Sequence, residues 1–287
     1  VNLREVAFDV PLGRIAGLRG GASAAPKVLA LHGWLDNAAS FVPLAAHLPS
    51  MDLLMLDLPG HGRSAHLAPG ADYTLAVTLN AVLDVVDSLG WGRFALLGHS
   101  MGAGIASLLA ASLPQRIERL VAIEALGALA EAPERTATRL RDGVAAAREL
   151  PLKKLRVFPD LAAPIRARMQ ANQLGEASAR LLVERGVAAV EYSESSGYVW
   201  SSDPRLTLPA LQRLTEPQIR QLIGAIECPT RVIFADPPQP YLPEPLRSER
   251  AALLPHGDLR VLPGTHHLHM ETPAAVAAAI GGFFSGD

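Results

Sequence analysis

Short apolar runs recur along the chain, separated by longer stretches of helical spacing. Val28-Leu29-Ala30-Leu31, Leu53-Leu54-Met55-Leu56, Phe94-Ala95-Leu96-Leu97, Leu120-Val121-Ala122-Ile123 and the end of Thr230-Arg231-Val232-Ile233-Phe234 show no polar alternation. A strand that is apolar at every position is buried on both faces, as in a parallel sheet covered by helices. Residues 259–262 read as the last strand, and 5–10 and 14–18 as two strands around a turn at 11–13. Helical spacing predicts helices over 41–48, 75–89, 103–113 and 274–284. Strands alternating with helices predict an α/β protein with a mostly parallel sheet and helices on both faces. From 127 to 225 the strand-like runs stop. Helices are expected over 134–149, 162–174, 176–187 and 216–226, with an irregular stretch at 192–208. This predicts a core formed by 1–125 and 226–287, with a helical cap, 126–225, inserted between. The Pro-rich stretch 237–245 reads as a loop.

The length of 287 residues fits one large domain carrying an insertion. A net charge of -2 gives no electrostatic case for binding nucleic acid or an anionic membrane. No apolar run is long enough to span a bilayer, and the first residues do not resemble a signal peptide. The expectation is a cytoplasmic protein, monomer or homodimer, acting on a small molecule. Cys228 is the single cysteine, so no internal disulfide can form. It reads as a structural thiol.

The candidate chemistry is centred on Gly98-His99-Ser100-Met101-Gly102. An apolar strand precedes it and an Ala-rich helical pattern follows. In that context Gly-x-Ser-x-Gly marks a serine nucleophile on a sharp strand-to-helix turn. Gly98 and Gly102 leave room for the close packing of the strand and helix. The Met101 N–H, at the helix N-terminus, is a candidate oxyanion donor. A second donor is expected after the strand at 28–31, at the Trp34 N–H. A serine needs a base, and Thr265-His266-His267-Leu268-His269 follows the last strand. His266 comes soonest after the turn and is the expected base, with His267 and His269 packed around it. The three histidines lack the carboxylate or cysteine partners of a convincing metal site, so neither metal nor cofactor is expected. The acid that orients the base should lie between serine and histidine in the chain. Glu124, after the strand at 120–123, is favoured, and Asp236, after the strand beginning at Thr230, stays open. Asp57 to Ser64 reads as a structural loop. In the cap, Tyr198 and Trp200 are candidate apolar walls for substrate. Arg205 could meet an acidic substrate group or, as the favoured alternative, form a structural salt bridge with Asp203 or a core carboxylate.

Taken in order, His32-Gly33-Trp34, Asp57-Leu58-Pro59-Gly60-His61-Gly62-Arg63-Ser64, Gly98-His99-Ser100-Met101-Gly102 and Gly264-Thr265-His266 resemble the α/β-hydrolase superfamily over nearly the whole chain. His32 through Phe41, Arg156 through Asp160 and Asp203 through Leu206 are similar to its serine hydrolase-like protein branch. The resemblance implies the α/β-hydrolase fold, with His266 at the base position and Glu271 a structural part of the same motif. Residues 120–124 are similar to the stretch in dehalogenases and coelenterazine luciferases where some members keep their acid, which favours Glu124. The commoner pattern of an aspartate after the next strand keeps Asp236 in play. A serine where dehalogenases and epoxide hydrolases carry aspartate argues against those two activities. The expected function is hydrolysis of a carboxylic ester. A carbon–carbon bond hydrolase on the same residues and a non-catalytic binding protein are the alternatives.

Overall fold

Side chains in the central strands alternate between two apolar layers. Leu29 and Leu31, Leu54 and Leu56, Leu96, Leu120 and Ala122, and Val232 and Phe234 face one buried cluster. Val28 and Ala30, Leu53 and Met55, Ala95 and Leu97, Val121 and Ile123, and Ile233 and Ala235 face a second. Successive residues of a strand point to opposite faces, so a strand apolar throughout needs cover on both. The computed structural model, which describes residues 2–48, 51–150, 156–192 and 195–286, provides that cover.

The elements run β1 (Arg4–Val10), β2 (Gly13–Gly20), β3 (Lys27–Leu31), α1 (Val42–Ala45), β4 (Asp52–Leu56), α2 (Leu75–Ser88), β5 (Phe94–His99), α3 (Met101–Ser112) and β6 (Ile117–Ile123). After an excursion the chain returns through β9 (Thr230–Asp236), α8 (Leu246–Ala251), β10 (Gly257–Pro263), α9 (Leu268–Glu271) and α10 (Pro273–Ile280). The eight-stranded sheet has the order β1-β2-β4-β3-β5-β6-β9-β10. β1 and β2 pair antiparallel, as do β2 and β4, and the other pairings are parallel. Residues of α2 and α3, with Ile219 and Ile223 from the excursion, pack in the first cluster, and residues of α1 and α10 in the second. The α/β class with helices on both faces is therefore as the apolar runs predict. Two helices are shorter than their spacing suggests. A 3₁₀ turn at Ala38–Phe41, capped by the Asn37 side chain, leads into α1, which is a single turn ending at Ala45. Gly281, at φ 50°, ends α10 before the phenylalanines.

The excursion contains α4 (Thr136–Glu149), α5 (Ala162–Asn172), α6 (Glu176–Gly186), β7 (Val187–Tyr192), β8 (Ser195–Trp200) and α7 (Glu216–Gly224). The hairpin of β7 and β8 corrects the expectation that strands stop after 127. Its register runs from Val187 against Trp200 to Tyr192 against Ser195, and Tyr198 also bridges to Phe158. Part of the expected irregular stretch is thus a strand, and its residues 193–194 lie outside those described.

The excursion is tied to the loops that follow β3 and β4. Asn37 Nδ2 donates to Leu182 O, Trp34 Nε1 to Leu206 O and Ser201 Oγ to Gly62 O. Arg185, from α6, pairs with Asp57, which is fully buried. Asp57 also accepts from the Ala38 and Arg63 N–H groups. Residues 57–64 thus form the structural loop expected, with Arg185 rather than the Arg63 side chain neutralising Asp57. Arg63 reaches Glu5 instead. No described helix is long and apolar enough to cross a membrane.

Candidate active site

β5 ends at His99, and α3 begins at Met101. The one residue between them must reverse the chain. Ser100 does so at φ 51°, ψ -118°, a strained region for any residue with a Cβ. Tight packing enforces the turn. A Cβ on Gly98 would lie 2.4 Å from Ala103 Cα, and one on Gly102 would lie 1.9 Å from Leu31 O. Both glycines are therefore required by backbone approach. The Ser100 N–H donates to Ile123 O, which fixes the turn against the end of β6.

Glu124 follows directly, also at positive φ (60°), with its N–H donating to Ile233 O. This geometry sends its side chain back under the sheet edge. Oε1 accepts from the Ala235 N–H, and Oε2 lies 3.1 Å from His266 Nδ1. The carboxylate is buried, and the imidazole is part-exposed. Asp236 is exposed at the end of β9 and has no described bond to His266. Of the two acids singled out in the sequence, the structure brings Glu124 to the imidazole and leaves Asp236 outside.

His266 is braced from beneath. His99 Nε2 donates to His266 O at 2.8 Å, and the two rings stand 4.8 Å apart. His267 donates from Nε2 to Asp36 Oδ2, His269 Nε2 meets Ser40 Oγ, and the His99 and His269 rings lie 4.0 Å apart, tilted by 37°. All are buried. Burial, reinforced by the neighbouring imidazoles, pushes His99 and His269 well below the ordinary histidine range. Burial alone would raise the Asp36 carboxyl. The bond and charge of His267 and the Arg168 cation outweigh it and hold Asp36 below the usual carboxylate range. Among the described residues Asp36, His99 and His267 place donor atoms within 4.8 Å of one another. Arg168 stands 3.4 Å from Asp36 Oδ1, so a cation there would face an existing one.

Among the described hydrogen bonds, the N–H groups of Met101 and Trp34 have no protein acceptor, which suits groups that meet a ligand oxygen. His32 holds the Trp34 loop in place. Its Nδ1 donates to Gly33 O, and its Nε2 accepts from the Leu58 N–H. Arg168 also donates to Leu35 O. Trp34 itself is 54% exposed.

The other residues singled out in the excursion fare differently. Arg205 forks onto Asp203 and donates to Leu67 O, Ala68 O and Ala71 O. Every N–H of its guanidinium has an acceptor. The substrate-contact reading of Arg205 therefore gives way to the ion-pair alternative. Trp200 packs edge-on against Phe158, with Arg168 over its ring. Tyr198 is half-buried in the hairpin, and no described contact joins either ring to Ser100 or His266.

One contact was not foreseen. The Tyr241 hydroxyl lies 3.0 Å from His266 Nδ1 and 3.4 Å from Nε2, with the Ser100 side chain close enough to oppose the rise in its pKa. No described bond joins Ser100 Oγ directly to His266. The signal available in the sequence was a lone tyrosine in a proline-rich loop beyond a strand's carboxyl end.

Residues 26–212 match the family described as the alpha/beta hydrolase fold. The chain belongs to that family. A probable serine hydrolase of Drosophila melanogaster is 30% identical over 286 residues, spanning 96% of this chain and 86% of that protein. A serine hydrolase-like protein of Danio rerio is 28% identical over 97% of this chain and 87% of its own length. The crystal structure of a hypothetical protein from Pseudomonas aeruginosa PAO1 superposes with a TM-score of 0.91 at 38% identity, covering 98% of this chain and 99% of that one. The chain is thus a serine hydrolase of the α/β-hydrolase family, in its serine hydrolase-like branch.

Proposed function

We propose that this serine hydrolase cleaves carboxylic esters through an acyl-enzyme on Ser100. The observation that carries the reading is the buried Glu124 carboxylate on His266 Nδ1, beside a serine held at φ 51°. A serine hydroxyl becomes a competent nucleophile only when a base removes its proton. With Nδ1–H donated to Glu124, His266 presents Nε2 as that base, and the carboxylate stabilises the imidazolium that forms. Ser100 Oγ attacks the ester carbonyl. The Trp34 and Met101 N–H groups, whose directions the backbone fixes, receive the oxyanion. His266 then returns its proton to the departing alkoxide. A water activated by the same base hydrolyses the acyl-enzyme. In this reading residues 126–225 form a cap over the site. Trp34 and, from the cap, Tyr198 and Trp200 supply apolar wall. The substrate is a small or medium-sized ester.

The test is intact-mass labelling with a fluorophosphonate, followed by an ester panel and a vinylogous diketone. The wild type should take one adduct and hydrolyse esters, while Ser100→Ala takes none and His266→Ala labels far more slowly. A folded wild type that takes no adduct would overturn the catalytic reading. Labelling combined with turnover of the diketone but not of esters would move the reaction to carbon–carbon bond hydrolysis.

A further inference from the structure

Tyr241 touches the base, yet the reaction above gives it no task. It lies on a turn closed by the Leu242 N–H donating to Gln239 O at 3.0 Å, and the Leu242 side chain is buried. Past the turn, Arg247 donates to Ala235 O and to Glu244, tying the far end of the loop to the end of β9. The turn is therefore anchored on both sides. The Tyr241 residue is 46% exposed, while its hydroxyl reaches inward to His266 and Ser100.

That position is chemically specific. A hydroxyl near both nitrogens of one imidazole cannot lie along the axis of each, so neither contact is a straight hydrogen bond. The His266 Nδ1 direction is already occupied by Glu124. The hydroxyl stands off both axes, beside the ring and with Ser100 close by, within reach of an oxygen that leaves the acyl carbon and collects the proton from Nε2. Building on the ester reading, we propose that Tyr241 is a catalytic residue on the leaving-group side. Its O–H donates a hydrogen bond to the departing alkoxy oxygen, and afterwards to the water that replaces it. In that step the acyl carbon–oxygen bond breaks and its electron pair stays on the leaving oxygen. His266 Nε2 supplies the proton. Tyr241 keeps its own and lends only the bond. Burial of the hydroxyl and then the Glu124 charge raise the Tyr241 phenol above its ordinary value, so it remains a protonated donor at neutral pH.

A donor to the leaving oxygen matters most when that oxygen is a poor leaving group. The experiment compares wild type with Tyr241→Phe on acetate esters whose alcohols run from p-nitrophenol to simple alkanols, reading kcat/KM. The rate of fluorophosphonate labelling is the second readout, since fluoride departs without needing the tyrosine. Expected for Tyr241→Phe is a change of less than about 3-fold on p-nitrophenyl acetate and in labelling, and a fall of roughly 10- to 100-fold on alkyl acetates, the size expected for losing one hydrogen bond to a charged oxygen. An equal loss across the series would overturn the proposal, because it would mean that Tyr241 only holds His266 in place. A gain would also overturn it, because the hydroxyl would then be an obstruction. A wild type that labels but hydrolyses no ester defeats the ester reading and this inference together. That case is distinguished by silence in the wild type rather than in the variant.

Discussion

Acidification should destabilise this protein well above the pH at which its carboxylates titrate. His61, His99 and His269 are all buried, and each is pushed down, first by burial and then by neighbouring imidazoles. His61 falls to about 3. In the unfolded chain an imidazole takes up a proton near pH 6.5. The folded protein keeps these three neutral, so below pH 6.5 the unfolded state binds more protons and stability falls as pH falls. From pH 7.5 to 5.5 each histidine contributes about one pH unit of titration free energy, so the three together cost on the order of 4 kcal/mol. Asp36 does not offset this loss. Its carboxyl is held low in the fold, so its contribution stays intact until the pH drops towards the unfolded carboxylate value. A loss of that size is a large share of the roughly 5–15 kcal/mol that holds a typical domain together. Equilibrium urea unfolding, followed by tryptophan fluorescence at pH 7.5, 6.5 and 5.5 and constant ionic strength, measures it. With a slope of about 3 kcal/mol/M, the midpoint should move down by more than about 1 M. Midpoints at pH 7.5 and 5.5 within about 0.3 M of one another would refute the reasoning and mean that the cluster accepts protons while folded.

Two substitutions probe the rest of the framework. Glu124→Gln keeps the shape of the side chain but removes the charge that stabilises the imidazolium, so kcat should fall by about 10²- to 10⁴-fold with the fold intact, while Asp236→Asn stays within about 2-fold; steady-state kinetics beside circular dichroism would show the reverse ranking if the acid were Asp236. Arg185→Met strands the fully buried Asp57 without its cation and should cost about 3–5 kcal/mol, read as a fall in Tm; Arg185→Met combined with Asp57→Asn should recover part of that loss, and no recovery would mean that the cost lies in packing.

What was legible in the sequence is what local sterics and periodicity decide. The two-sided burial of β3 to β6 follows from runs with no polar position, and the Ser100 turn follows from glycines placed where a Cβ would meet backbone. The hairpin was not legible. Ala188-Ala189 continues the composition of α6, and Ser195-Ser196-Gly197 has neither alternation nor bulk to mark a strand. Arg168 and Arg185 were missed for a different reason. A charged residue on a helix reads as solvent-facing, and only the three-dimensional approach of Asp36 and Asp57, 132 and 128 positions earlier in the chain, accounts for their burial. The histidines after β10 were visible as residue types, but their partners Asp36 and Ser40 lie more than 200 positions away.

Tyr241 and the location of the carboxylate are linked. β6 lies between β5 and β9, so a side chain leaving the end of β6 is already beside the serine turn and must reach along the sheet edge to a base carried after β10. Glutamate has the length for that reach, and the positive φ at 124 aims it. The reach passes the end of β9, where the Ala235 N–H takes one carboxylate oxygen and fixes the orientation of the other towards His266. β9 thus contributes a backbone donor to the acid instead of the acid itself. Its following loop carries no obligation to hold a carboxylate on the imidazole, so Asp236 can face water while the turn beyond it brings a neutral phenol to the same ring. A carboxylate at both places would set two negative charges around one imidazole, and the second would have to be buried without a cation. A hydroxyl avoids that cost and supplies what a carboxylate cannot, a hydrogen-bond donor next to the serine oxygen.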